Sequence, residues 1–162
     1  MCRANEIAAN ARQRLYEMSN LERLSHLTFE NFNRSGNPKA EFVSPQEVAS
    51  LSDALNSAEE FARDLNSWLL LEGAYGCGKT HLAAAIANAC VQRGVPTLFI
   101  TVPDLLDSLR FAYNDPETTF ERRFDDIRSA DLLVMDDFGT QNATPWAQEK
   151  LFQIINYRYI NK

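Results

Sequence analysis

Residues 73–80 contain the most distinctive chemical pattern of this chain. They read Gly-Ala-Tyr-Gly-Cys-Gly-Lys-Thr, which has the G-x-x-x-x-G-K-S/T spacing of a phosphate-binding loop. Glycines let backbone N–H groups turn onto one concave face, and a following helix directs its positive end to the same place. The loop and the start of that helix predict these nucleotide-contacting residues: Gly73, Ala74, Tyr75, Gly76, Cys77, Gly78, Lys79, Thr80 and His81.

The last two residues of the loop have separate expected tasks. Lys79 would bridge the β- and γ-phosphates of ATP, and Thr80 would offer its hydroxyl to Mg²⁺. ATP and Mg²⁺ are therefore the predicted cofactors.

A second chemical pattern begins at residue 131 and reads Asp-Leu-Leu-Val-Met-Asp-Asp-Phe. Its four apolar residues predict a strand that is buried on both faces, as in a parallel sheet. The acidic pair would then lie at the carboxyl end of the strand, where ligands bind in open α/β sheets. Asp136 would hold Mg²⁺, through water, as the partner of Thr80, and Asp137 would polarise the attacking water. The predicted catalytic residues are Lys79, Asp136 and Asp137.

Two adjacent carboxylates favour ATP hydrolysis over small-molecule phosphorylation. A small-molecule kinase needs only the first carboxylate, because its nucleophile is a hydroxyl of the substrate. It would also need an arginine-rich lid, for which only Arg122, Arg123 and Arg128 qualify. A nucleotide-binding chain without turnover remains an alternative, and neither motif shows what hydrolysis would drive.

The elements that must position these residues form an α/β pattern. An apolar run at residues 68–71 predicts the strand before the loop, and the alanine-rich residues 81–93 predict the helix after it, with Leu82, Ile86 and Ala89 buried. Gly94 ends that helix, and an apolar strand follows at residues 97–102. Further helices are predicted over residues 3–27, from Ser44 and Pro45 to Leu65, from Leu105 to Asn114, from Phe120 to Ile127 and from Pro145 to Arg158, with a loop at residues 31–40.

Composition limits the function classes. The 162 residues carry a formal net charge of −6, which is not typical of a stand-alone nucleic-acid binder. No apolar run approaches the length of a membrane span, so we expect no membrane partner. The cysteines at positions 2, 77 and 90 have no metal-binding spacing, which favours a reducing, cytoplasmic location.

Four stretches resemble the AAA+ ATPases of the bacterial DnaC/DnaI helicase-loader type and their transposition relatives, the IstB-like ATP-binding proteins. They are residues 27–32, the phosphate loop with His81 and Leu82, residues 132–139, and residues 146–159. The resemblance implies a P-loop NTPase fold of AAA+ type, with a parallel sheet between helices. It also implies an ATP hydrolase that engages single-stranded DNA and a replicative helicase, or else assists a transposase, and that is a homo-oligomer when full length. Loaders of this group often carry Asp where Asp137 stands, which suits a slow switch.

The resemblance also sets the expected domain organisation. Residues 1–43 would form an N-terminal helix and linker, and residues 44–162 the AAA+ core. The family continues beyond such a core with a fourth strand, a sensor residue, an arginine finger and a lid. We therefore expect this core to be truncated before that strand, so that its sheet is incomplete and its turnover alone is uncertain.

Overall fold

Helices dominate the part of the chain that the structure describes. The computed structural model describes residues 3–36, 43–113, 119–139 and 144–161, with side chains from residue 9 onwards. The described elements are helices α1 (Arg3–Met18), α2 (Pro45–Asp64), α3 (Lys79–Gln92), α4 (Val102–Ala112), α5 (Phe120–Ser129) and α6 (Pro145–Asn161), a 3-10 helix (Asn20–Leu24), and strands β1 (Thr97–Thr101) and β2 (Leu132–Asp136). They fall into two compact units: the loop unit, Glu22–Gly94, and the sheet unit, Met1–Leu21 with Val95–Lys162.

The sheet unit is built around a parallel pair of strands. β1 and β2 pair in register from Thr97 opposite Leu132 to Thr101 opposite Asp136. The chain between them forms α4 and α5, as a parallel pair requires. Apolar residues of β1, α1, α4, α5 and α6 form one buried core. It includes Leu98, Leu105, Ile127 and Ile154. This arrangement confirms the α/β class.

The second strand is less buried than its sequence predicted. Leu132 is buried, but Leu133, Val134 and Met135 are half-buried, so the prediction of burial on both faces is wrong. Leu133 and Met135 pack against the helical core. Among the described residues β2 has a strand neighbour only at its β1 edge, so its other edge is covered by no strand of this part of the chain.

The first helix ends earlier than predicted, at Met18 rather than residue 27. The hydroxyl of Ser19 accepts from the Phe99 N–H (3.1 Å) and donates to the Phe99 carbonyl (3.0 Å). The Oδ1 atom of Asn20 accepts from the Thr101 N–H at 3.2 Å. These bonds satisfy the outer edge of β1 and turn the chain out of the helix.

The loop unit begins its long helix as the sequence predicted. Ser44 and Glu47 form the capping box of α2, and the bonds from Ser44 to the carboxylate hold the pKa of Glu47 below its usual value. Leu55 and Ala58 are fully buried. Helix α3 packs on α2 and is buried at every position from 82 to 87, whereas Ala89 is only half-buried.

The prediction of a strand at residues 68–71 is wrong. They form no strand in the described structure, and Trp68 and Leu70 are 55% and 79% exposed. The described residues of the loop unit contain no strand that could exchange ladder hydrogen bonds with this run. Its apolar side chains therefore lack the partners that would make it a sheet strand.

The last helix holds β2 at its start. The Arg158 guanidinium donates to the carbonyls of Arg128 (3.2 Å), Ala130 (2.5 Å) and Asp131 (3.1 Å). Burial among these groups lowers the pKa of Arg158. Since these carbonyls lie just before Leu132, the Arg158 side chain fixes the position at which β2 begins.

The other helices that the sequence predicted are present in the structure. The helices predicted from residues 105, 120 and 145 are confirmed as α4, α5 and α6, and the first strand ends at Thr101 because Val102 opens α4. Predictions for residues 37–40 and 114–116 lie outside the described residues. No helix of the described residues is long and apolar enough to cross a membrane.

Candidate phosphate-binding site

The phosphate loop leads directly into α3, and Gly78 is the residue at which the helix begins. Its φ of 98° lies in the left-handed region, and its carbonyl accepts the first helical bond from Leu82 at 3.0 Å. A Cβ built on Gly78 would lie 2.8 Å from Cε2 of Phe32, so a side chain has neither the conformation nor the room it needs. Because glycine has no side chain, residue 78 cannot cap the N–H groups of the first turn. This end of the helix therefore keeps its positive field for an anion.

The Lys79 side chain folds back over the loop. Its ammonium donates to the carbonyls of Gly73 (3.0 Å) and Ala74 (2.7 Å) and lies 3.8 Å from Sγ of Cys77. A full positive charge thus lies beside the positive end of α3. Both charges would attract the same phosphate oxygens.

The remaining loop residues shape the turn. The Cys77 N–H donates to the Ala74 carbonyl at 3.4 Å, and the Cys77 sulfur would be 2.9 Å from a Cβ on Gly73. Gly76 has a φ of 75°, and Tyr75 is fully exposed. A phosphate held by this segment would therefore contact its backbone, whereas the Tyr75 side chain points into solvent.

His81 is engaged away from the loop. Its Nε2 atom lies 2.9 Å from the Thr28 carbonyl and 3.0 Å from Oδ1 of Asn31. The ring also meets Phe32 edge-on, with centroids 5.2 Å apart. The contact of His81 with nucleotide stays a prediction, and the structure gives the imidazole protein partners.

The acidic pair lies at the carboxyl end of β2, in the sheet unit, as the sequence predicted. Asp136 is the last residue of β2 and is half-buried, opposite Thr101. Asp137 is exposed and has a φ of 54°, a left-handed conformation that aspartate tolerates better than most side chains. The chain turns sharply after Asp136, so the two carboxylates have different surroundings.

The donor set suits magnesium. The Thr80 hydroxyl and the Asp136 carboxylate are hard oxygen ligands, and Mg²⁺ usually takes one or two protein ligands together with phosphates and water. No group of three or more His, Cys, Asp or Glu side chains in the described residues could hold a metal by itself. Thr80 belongs to the loop unit and Asp136 to the sheet unit, and their shared use of one ion stays a prediction.

Several residues that organise these positions were missed by sequence reasoning. Asn31 and Phe32 lie at the start of a predicted loop, in a stretch that resembles a family, and no periodicity marks them. Asn88 offered a signal, because an amide inside an alanine-rich helix needs a partner. Its Nδ2 atom donates to the carbonyls of Leu24 (3.0 Å) and Leu27 (2.9 Å).

Comparisons with known proteins identify the family of this chain. The model of the IstB-like ATP binding protein family matches residues 2–162. The replicative helicase loader DnaC of Escherichia coli K12 is 34% identical over 116 residues, which are 72% of this chain and 47% of DnaC. DnaC of Buchnera aphidicola from Acyrthosiphon pisum is 33% identical over 106 residues, 65% of this chain and 43% of that relative. The chain spans about half the length of the curated relatives it matches.

A solved structure shows the fold. AMPPCP-bound DnaA from Aquifex aeolicus matches with a TM-score of 0.64 at 24% identity, over 83% of this chain and 38% of DnaA. The chain therefore has the α/β P-loop fold of AAA+ proteins, of which it contains a part.

Replacing the loop lysine tests the site directly. We expect Lys79→Ala to weaken Mg·ATP binding roughly 10- to 100-fold, because it removes a charge-assisted bond to phosphate. Isothermal titration calorimetry measures the affinity, and Lys150→Ala, which removes a lysine of the sheet unit, should bind as the wild type does. Equal affinity of wild type and Lys79→Ala would show that the loop is not the nucleotide site.

Proposed function

Because this chain belongs to the IstB-like ATP binding protein family, we propose that it binds Mg·ATP at residues 73–80 and hydrolyses it as the ATPase module of a replicative helicase loader. The observation that carries the proposal is the position of the Lys79 ammonium, held over the glycine loop beside an α3 terminus that begins at a residue without a side chain. The names of the DnaC relatives support the loader role.

Turnover would depend on the two aspartates. Thr80, directly, and Asp136, through water, would hold Mg²⁺, which would supply positive charge to the phosphates. Asp137 would accept a hydrogen bond from water and orient it toward the γ-phosphate. The exposed position of Asp137 suits contact with water.

Separate measurements of binding and turnover test these roles. We expect Asp137→Asn to lower phosphate release roughly 100-fold or more, because it removes a general base, while the affinity for Mg·ATP stays the same. The matched control Asp125→Asn changes an exposed carboxylate on α5 and should release phosphate as the wild type does. Unchanged turnover in Asp137→Asn would contradict the assigned role, and tight binding without turnover in the wild type would indicate a nucleotide-dependent switch instead.

The macromolecular partner has two candidates. A replicative helicase is favoured by the relatives, whereas a transposase would fit a transposition helper of the IstB type. We expect this chain with Mg·ATP to retain a purified replicative helicase from the same organism and not an IstB-associated transposase. Pull-down with each purified partner measures this, and retention of the transposase alone would overturn the loader role.

An aromatic ladder in the sheet unit supports a proposed contact with single-stranded DNA. Tyr113 is 57% exposed and stacks on Phe120, with centroids 4.4 Å apart, and Phe120 stacks on Phe124 at 5.6 Å. The Lys150 ammonium lies 5.6 Å from the Phe120 centroid, and the Arg128 guanidinium lies 5.4 Å from that of Phe124. An exposed aromatic ring can stack a base, which is how many proteins hold single-stranded nucleic acid without sequence preference. Arg128 is paired with Asp125 and Lys150 with Glu149, so the proposed contact rests on stacking rather than on a net positive charge.

Substitution of Tyr113, the exposed end of this ladder, tests the proposed DNA contact. We expect Tyr113→Ala to weaken binding of an oligothymidine by the ATP-loaded protein roughly 5- to 100-fold, since one base loses its stacking partner. Fluorescence anisotropy measures the affinity. Tyr159→Ala removes another exposed ring, on α6 outside the ladder, and should change nothing. Unchanged affinity in Tyr113→Ala, or an equal loss in Tyr159→Ala, would contradict a specific contact of the ladder with DNA.

A further inference from the structure

Residues 24–33, which we call the strap, are attached to one face of α3. Asn88 donates to two strap carbonyls, of Leu24 and Leu27, and His81 contacts Thr28 and Asn31. His81 and Asn88 are about two helical turns apart, so their side chains lie on the same face. The strap therefore follows the helix from its third turn down to the phosphate loop.

The hydrogens of the Asn31–His81 pair can be placed from its partners. Nδ2 of Asn31 donates to the His26 carbonyl at 2.6 Å, and Oδ1 accepts from the Thr28 N–H at 2.9 Å, which fixes the orientation of the amide. The Nε2 atom of His81 then faces two oxygen acceptors, and it must carry the hydrogen. The imidazole is thus a donor shared between a backbone carbonyl and Asn31.

Phe32 connects this pair to the loop. Its side chain is 8% exposed, and the ring meets His81 edge-on with an interplanar angle of 88°. The same ring fills the space in which Gly78 would carry a Cβ. The ring that the Asn31–His81 pair orients therefore lies directly under the residue that begins α3.

We propose that Asn31, His81 and Phe32 form a clasp that positions Gly78 and the first turn of α3 for phosphate binding. His81 is then a positioning residue that acts through Phe32. The clasp rests on the proposed function, because the event it prepares is Mg·ATP binding. Linkage requires the reverse effect as well: nucleotide binding must stabilise the clasp by the same factor.

A double-mutant cycle on nucleotide affinity tests the clasp. We expect Asn31→Leu and His81→Leu each to weaken binding of Mg·AMPPCP roughly tenfold, and the double variant to be no weaker than the worse single one, because both break one unit. His81→Gln keeps an N–H donor and should recover most of the affinity, which a general folding defect would not allow. His26→Leu is the matched control, because only the backbone carbonyl of His26 takes part in the contacts described here and its side chain is exposed.

Hydrogen exchange gives a second readout that does not depend on affinity alone. At saturating Mg·AMPPCP, the Thr28 and Phe32 amides should exchange more slowly in the wild type, whereas in His81→Leu this protection should be lost. Retained protection in His81→Leu would overturn the clasp.

The outcomes separate the clasp from the function on which it rests. Additive losses, or a loss in His81→Leu with none in Asn31→Leu, would show direct contact of the imidazole with nucleotide and overturn the clasp while ATP binding stands. If the wild type does not bind Mg·AMPPCP, the proposed function and the clasp both fail.

Discussion

The absence of a side chain at Gly78 is the constraint on which the loop unit depends. A left-handed residue must begin α3 here, and the Phe32 ring excludes any Cβ. The consequence is a helix terminus whose positive field is left for an external anion. Lys79 adds its charge at the same place, while burial of α3 against α2 keeps the terminus from shifting. Local backbone geometry, helix packing and charge therefore agree on one chemistry, phosphate binding.

The sheet unit fixes its aspartates by a different set of hydrogen bonds. Arg158 anchors the start of β2, and the parallel register with β1 determines where the strand ends, at Asp136. Ser19 and Asn20 satisfy the free edge of β1, which protects the pair from pairing with other strands. The stretch at residues 146–159, one of the four that resemble the family, thus has a structural reason at Arg158. The chemistry of ATP does not require Arg158, but the placement of the acidic strand does.

The sequence was informative where local physics decides the outcome. The start of α2 after Ser44, the strand that begins at Thr97 and the helix that follows the glycine loop each follow from short-range rules, and each was predicted. Long-range bonds produced the errors. Helix α1 ends at Met18 because Ser19 bonds to Phe99, some eighty residues away, a partner that no sequence window contains. Residues 68–71 have the composition of a strand, but a strand also needs a neighbour, and the described part of the loop unit supplies none.

The central proposal is that the loop and the acidic pair would share one nucleotide-bound cation, and paramagnetic NMR tests it most directly. Mn²⁺ can replace Mg²⁺ in the complex with ATP, and it broadens the amide signals of nearby residues. The account predicts that titration with Mn·ATP broadens the signals of Gly78, Lys79 and Thr80 together with those of Asp136 and Asp137. Broadening of the loop signals alone, with those of Asp136 and Asp137 unchanged, would contradict it.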